Sequence, residues 1–250
     1  MPDIRFGEID FSGDGAYIWG AGQYSAPARS VDFIEVPGRN GDLLIDNGNY
    51  TNTKAVFDVV ITKDVKENTD RLKHLLYSQK GYQRLYDSDL KGFYRMASFN
   101  RGFEIPSTDG GIVRIEFDCK PFKYDISGEE KIVLSGALAS AYLENPYFVE
   151  AKPLIKITGY DANFDEDYGF VELRWGMDFV QIKVEKKDCR GLIIDTDLNY
   201  AYYDRGVAGL VSANHLIELP DISLLGNCQS QIGYSGAITG MEIAPRWRTI

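Results

Sequence analysis

Histidine and cysteine are scarce in this chain, with two of the first and three of the second in 250 residues. Imidazole is the side chain most readily recruited as a general base near neutral pH. Only His74, in a helical pattern beside Lys73, and His215, in a strand pattern, could supply it. Gly233-Tyr234-Ser235-Gly236 lacks the final spacing of a G-x-S-x-G nucleophile elbow and reads as hairpin chemistry. Cys119, Cys189 and Cys228 are far apart and have no CxxC spacing, which excludes a disulfide framework and a zinc site. All three are expected to be buried thiols packing as small hydrophobes. There is no run of about 18 apolar residues, so no spanning helix is predicted. The opening MPDIRFGEID is charged by its fifth residue and has no apolar core. A signal peptide is therefore not expected, and the chain should be made and folded in the cytosol. Basic charge is also deficient: 27 Lys and Arg against 37 Asp and Glu give −10. Residues 1–130 (21 acids, 16 bases) and 131–250 (16 acids, 11 bases) each carry −5. No basic half is available to displace counterions from phosphate, which argues against nucleic-acid recognition.

What is present is hydrophobic alternation. The 44% hydrophobic and 13% aromatic content is that of a folded chain. Val113, Ile115, Phe117 and Cys119 alternate with Arg114, Glu116, Asp118 and Lys120, the pattern of a half-buried strand. Similar runs lie at 55–61, 154–158, 170–174, 179–184, 192–195, 215–219 and 241–244, with glycine-rich turn chemistry among them. One stretch departs from the pattern. From Asp64 to Lys80, Val65, Leu72, Leu75, Leu76 and Gln79 fall at helical spacing, predicting one amphipathic helix over 64–80. Between Pro121 and Pro153 the texture changes to Gly128, Gly136, small residues and Asn145-Pro146, which predicts a linker within about 125–152. The expected architecture is mostly β with two domains: 1–130 with one helix, and 131–250 as a β-sandwich.

Motifs that could carry chemistry fall short. Gly20-Ala21-Gly22-Gln23-Tyr24-Ser25 lacks the third glycine and the following helix of a dinucleotide fingerprint. Gly38-Arg39-Asn40-Gly41-Asp42 lacks the Gly-Lys-Ser/Thr ending of a P-loop and reads as successive tight turns. No cofactor and no catalytic residue is assigned. Asp195 and Asp197 fall on one strand face, the solvated one by expectation. Asp161, Asn163, Asp165, Asp167, Gly169 and Glu172 match ligand positions of a calcium loop, but Glu166 stands where the loop turn needs glycine and the flanks read as strands. An acidic hairpin tip accounts for the same residues, and no metal is assigned. Tyr160, Phe164, Tyr168, Trp175, Tyr200, Tyr202 and Tyr203 raise a second reading, a two-domain carbohydrate-binding module of a phage or bacterial surface machine.

Five segments in order resemble one family. Val31-Asp32-Phe33-Ile34-Glu35-Val36-Pro37-Gly38-Arg39-Asn40-Gly41-Asp42, followed by Ile45-Asp46-Asn47-Gly48 and Tyr50, resembles the amino-terminal signature of distal tail proteins of long-tailed bacteriophages and prophages. Phe117 to Tyr124, Glu150 to Gly159, Ile193-Ile194-Asp195 and Pro245 to Ile250 are similar to later parts of that siphophage tail component family. The resemblance implies a β-rich ring domain with one helix and a galectin-like β-sandwich after it. It implies a non-enzymatic hub of the virion tail tip, assembled in the host bacterial cytoplasm. The hub would be a hexameric ring between the tail-tube protein and the tail-associated hub protein, with the tape-measure protein nearby, outer domains able to carry a receptor-binding protein, and DNA passing through unbound. On that analogy Val36, Pro37, Gly38, Arg39, Asn40, Gly41, Asp42 and Tyr50 belong to a hairpin reaching towards a neighbouring subunit.

Overall fold

The computed structural model describes residues 3–11, 16–104, 111–161, 163, 167–186, 191–204, 209–214 and 219–250. The chain divides into two compact units, Met1–Lys123 with Ile250, and Tyr124–Thr249.

The first unit contains β1 (Ile4–Phe6), β2 (Ile9–Asp10), β3 (Ala16–Tyr24), β4 (Arg29–Ile34), β5 (Leu43–Tyr50), β6 (Thr53–Ile61), α1 (Val65–Ser78), β7 (Gln83–Asp87), β8 (Phe93–Ser98) and β9 (Gly111–Asp125). Seven of these strands build one sheet in the order β2-β1-β7-β8-β9-β6-β3. Its centre follows directly from alternation. Ala55 pairs with Phe117, Phe57 with Ile115 and Val59 with Val113, and all six are 2% exposed or less. Such fully buried side chains each contribute about 1.5–3 kcal/mol, except the small alanine. Leu72 and Leu76 of α1 join the same cluster. The helix is slightly shorter than the predicted 64–80: Asp64 enters with φ 44° and no side-chain cap, and Gln79 is already extended. Asn68 Nδ2, donating to the Lys63 carbonyl at 2.7 Å, closes the entry instead.

The second unit contains β10 (Ile132–Ser135), β11 (Leu138–Glu144), β12 (Leu154–Tyr160), β13 (Tyr168–Trp175), β14 (Asp178–Glu185), β15 (Leu192–Asp195), β16 (Tyr200–Asp204), β17 (Leu210–Ser212), β18 (Gln229–Gly236) and β19 (Ile238–Ala244). They form a six-stranded sheet, β10-β19-β12-β15-β16-β17, and a four-stranded sheet, β11-β18-β13-β14. Ile155, Ile157, Ile194 and Met241 from the first share one core with Val171, Leu173, Ile182 and Tyr234 from the second. Two sheets closed over one core make a β-sandwich. The fold is mostly β with one α-helix among the described residues.

Two expectations need correction. The stretch predicted as a linker, 125–152, is built into the sandwich: β10 pairs with β19 and β11 with β18, at an edge of each sheet. Edge strands tolerate small and turn-forming residues, and Gly136, at φ 112°, is part of the two-residue corner where the chain changes sheets. Asn145 is a brace: buried, it donates through Nδ2 to the Val149 and Leu224 carbonyls at 2.9 and 3.1 Å. The cysteines also differ from one another. Cys119 is buried, and burial pushes its thiol up to about 12, but Cys228 is exposed at the entry to β18. Cys189 and the strand expected at 215–219, as far as residue 218, lie outside the described residues.

Candidate functional site

From Trp19 to Asn52 no residue is buried. Within this span β4 and β5 pair with each other and with no other strand among the described residues. An isolated two-stranded ribbon is marginally stable in water, because it has no third strand or helix on which to bury a face.

The register shows what the ribbon exposes. Val31 pairs with Asp46, Asp32 with Ile45, Phe33 with Leu44, and Ile34 with Leu43. Directly opposed residues share a face and neighbours alternate. One face therefore carries Ile34, Leu43 and Ile45, and the other Phe33, Leu44 and Val31. Phe33 is 65% exposed and Leu44 54%. A solvated hairpin would show one polar face; this one carries three apolar residues on each, beside a single aspartate, Asp32 on the first and Asp46 on the second.

Local chemistry holds the ribbon in shape. Gly48 adopts φ 73° where the register slips between Arg29 and Val31, and its N–H donates to Asp46 Oδ1 at 2.9 Å. That hydrogen bond, then the Arg29 guanidinium 3.1 Å from Asp46 Oδ2, holds the Asp46 carboxyl below its ordinary range. Asn47 Nδ2 donates across to Ser30 Oγ at 3.3 Å and Asp32 Oδ2 at 3.1 Å. The residues singled out from sequence separate into two groups. Val36, Pro37, Gly38, Arg39, Asn40, Gly41 and Asp42 form the tip, where the Arg39 N–H donates to the Val36 carbonyl at 3.1 Å. Tyr50 lies at the base, its ring edge-on to Phe122 at 5.9 Å. Sequence reasoning missed the apolar shaft. Its signal was the unbroken Leu43-Leu44-Ile45, which fits neither a strand with one solvated face nor a helix.

The other candidates are dispersed. Asp195 is buried, contrary to the solvated face expected for it: Arg246 grips both its oxygens at 3.1 and 2.5 Å, and Arg248 holds Asp197 at 2.8 Å. These acids are structural ion-pair partners. Of the calcium-loop residues, Asp161 Oδ1 accepts from Asn163 N and Nδ2 at 2.9 and 2.8 Å, Glu172 Oε1 accepts from Arg174, and Asp165 lies outside the described residues. No group of three or more acidic, histidine or cysteine residues is arranged to hold a metal among the described residues. Of the aromatic set, Trp175 and Tyr203 are buried, Tyr168 is on the four-stranded sheet, and Tyr200 and Tyr202 are on the six-stranded sheet. Tyr200 and Tyr202 stack with ring centroids 6.2 Å apart, Tyr160 is also on the six-stranded sheet, so the set is divided between the two sheets, and Phe164 lies outside the described residues. His74 is on α1 and His215 lies outside the described residues.

A helix-bearing β unit with an unburied hairpin, followed by a β-sandwich, defines a specific two-unit β architecture. No family model and no curated protein matches the chain. Among solved structures it has the fold of SPP1 Dit (gp 19.1), whose crystal structure is described as a paradigm of the hub adsorption apparatus in phages infecting Gram-positive bacteria. The likeness covers 97% of each chain, with a TM-score of 0.68 and 12% sequence identity.

Proposed function

We propose that this chain is a structural hub of a long non-contractile phage or prophage tail tip. It assembles through its first unit as a hexameric ring that joins the tail tube to the host-recognition apparatus and lets DNA pass. The observation that carries this reading is a fold shared with SPP1 Dit from end to end of both chains. The unburied hairpin supports it independently, because ring closure needs a heterologous interface in which one patch of a subunit meets a different patch of the next. Burying Phe33 or Leu44 in such an interface is worth about 1.5–3 kcal/mol each.

The charge is consistent with a conduit. Six copies multiply a net −10, and acidic side chains facing a lumen repel DNA phosphate over a screening length of about 8 Å. The partners in this reading are neighbouring copies, the tail-tube, tail-associated hub and tape-measure proteins, and a receptor-binding protein outside. The site of action is the virion tail tip, after assembly in the host cytoplasm, and no chemical step is required of the chain. Light scattering coupled to size-exclusion chromatography, with the tail-tube protein added, tests the reading. Six-fold rings visible by electron microscopy are expected, and a strict monomer that ignores the tail-tube protein would sink it.

A further inference from the structure

The dipeptide Asn-Gly occurs twice in the chain, at Asn40-Gly41 and Asn47-Gly48, and both copies lie in the β4–β5 hairpin. This dipeptide is intrinsically reactive. Glycine has no side chain to shield its backbone nitrogen, so that nitrogen can reach Cγ of the preceding asparagine and displace its amide. Solvent access does not distinguish the two copies, because both asparagines and both glycines are exposed. Nor does crowding, since a Cβ added to either glycine would meet nothing within 4 Å. Hydrogen bonding does.

At Asn47-Gly48 both reacting groups are occupied. The Gly48 N–H, which would have to attack, donates to Asp46 Oδ1 at 2.9 Å. The Asn47 amide, which would have to leave, donates to Ser30 Oγ at 3.3 Å and Asp32 Oδ2 at 3.1 Å. Attack requires these bonds to break first, and a loss of that size slows a reaction by roughly tenfold or more. Asn40-Gly41 lies instead in the tip, between the end of β4 at Ile34 and the start of β5 at Leu43. Neither the Asn40 side chain nor the Gly41 N–H makes a hydrogen bond among the described residues.

We infer that Asn40-Gly41 is a self-modification site, at which the chain converts Asn40 to aspartate and isoaspartate without an enzyme while Asn47 is preserved. The Gly41 nitrogen bonds to Asn40 Cγ, the Cγ–Nδ2 bond breaks, and ammonia leaves with the Gly41 proton. Water then opens the cyclic imide at either carbonyl. One opening gives aspartate, and the other gives isoaspartate, with the main chain rerouted through Cγ. Either product adds a carboxylate near Asp42, in a tip whose other charged residues are Glu35 and Arg39. The hairpin that exposes Phe33 and Leu44 thus gains negative charge as the chain ages. This chemistry belongs to the single chain and stands apart from the hub role.

The test holds the folded full chain in warm, mildly alkaline buffer, at a dilution at which light scattering reads single chains, and maps its peptides by mass spectrometry at intervals. Conversion at Asn40 is expected to run roughly tenfold or more faster than at Asn47. In urea, which removes the hydrogen bonds, the two sites should react at comparable rates. Asn40→Gln, whose longer side chain cannot close the same five-membered ring, should eliminate the acidic species that ion exchange resolves in the aged wild type. Asp46→Ala, which deletes the acceptor of the Gly48 N–H, should speed conversion at Asn47 several-fold and leave Asn40 unchanged. An Asn40 that stays intact in the folded chain while it converts in urea overturns the proposal, as does conversion of both sites at equal rates in the folded chain. Because the readout needs no assembly, light scattering with the tail-tube protein added tests the hub reading separately.

Discussion

Two hairpins of this molecule are built from similar residues and behave in opposite ways. In β13–β14, Val171, Leu173, Ile182 and Val184 are buried at 2% exposure or less, and Phe170, Arg174 and Gln181 point outwards. In β4–β5 nothing is buried, although Val31, Phe33, Ile34, Leu43, Leu44 and Ile45 are no less apolar. The difference is pattern. Strict alternation lets one hairpin commit one face to the core of its own chain, but consecutive apolar residues give the other two faces, and its own unit covers neither. Hydrophobicity thus measures stability in the first hairpin and demand for a partner in the second.

Substitutions can separate those two meanings. The largest effect on the unfolding free energy of the isolated chain is expected from Leu173→Ala, about 2–5 kcal/mol in urea denaturation, because it opens a cavity in the sandwich core. A loss below about 1 kcal/mol would show that the buried hairpin is not anchored as described. Gly48→Ala forces an L-residue into φ 73° and should cost about 1–2 kcal/mol, felt locally as faster hydrogen exchange across β4 and β5. Phe33→Ser with Leu44→Ser should change the unfolding free energy of the isolated chain by no more than about 0.5 kcal/mol. The same pair should abolish higher-order assembly in light scattering. If this double variant still assembles, the hairpin is not the interface.

The smallest effect concerns pH. Asp46 is held below its ordinary value in the folded hairpin, so whatever it contributes is present above the unfolded carboxylate value and is lost as pH falls through the folded one. Amide protection at Gly48 should therefore decline at acid pH, and Asp46→Asn should remove that dependence. An identical acid profile in the variant would assign the change elsewhere.

Most of the scaffold was legible because alternation reports burial directly. Val113, Ile115, Phe117 and Cys119 are all fully buried, and the helix begins one residue inside its expected start and ends two short of its expected close. The family resemblance also placed attention on residues 36–42, which form the hairpin tip. What was not legible depended on partners distant in sequence. Small residues from Ala137 to Ala141 look like a linker until β18, about ninety positions later, pairs with them. Asp195 looks solvated until Arg246 folds onto it. The outer face of the four-stranded sheet is invisible in one dimension, because Tyr142, Gln231, Arg174 and Phe179 become neighbours through three separate pairings.

The closure of β10 on β19 sets an order of events during synthesis. Ile132 pairs with Ile243 and Leu138 with Ser235, so the first strands of the sandwich have no partners until residues 229–244 have left the ribosome. Pairings this distant in sequence are slow to form. In the first unit, by contrast, β6 meets β9 and β1 meets β7 within the first 125 residues. Domains completed early in a growing chain fold early. The seven strands β2-β1-β7-β8-β9-β6-β3 can therefore pair with one another while the sandwich is still incomplete, and β4–β5 is then exposed before the second unit has closed.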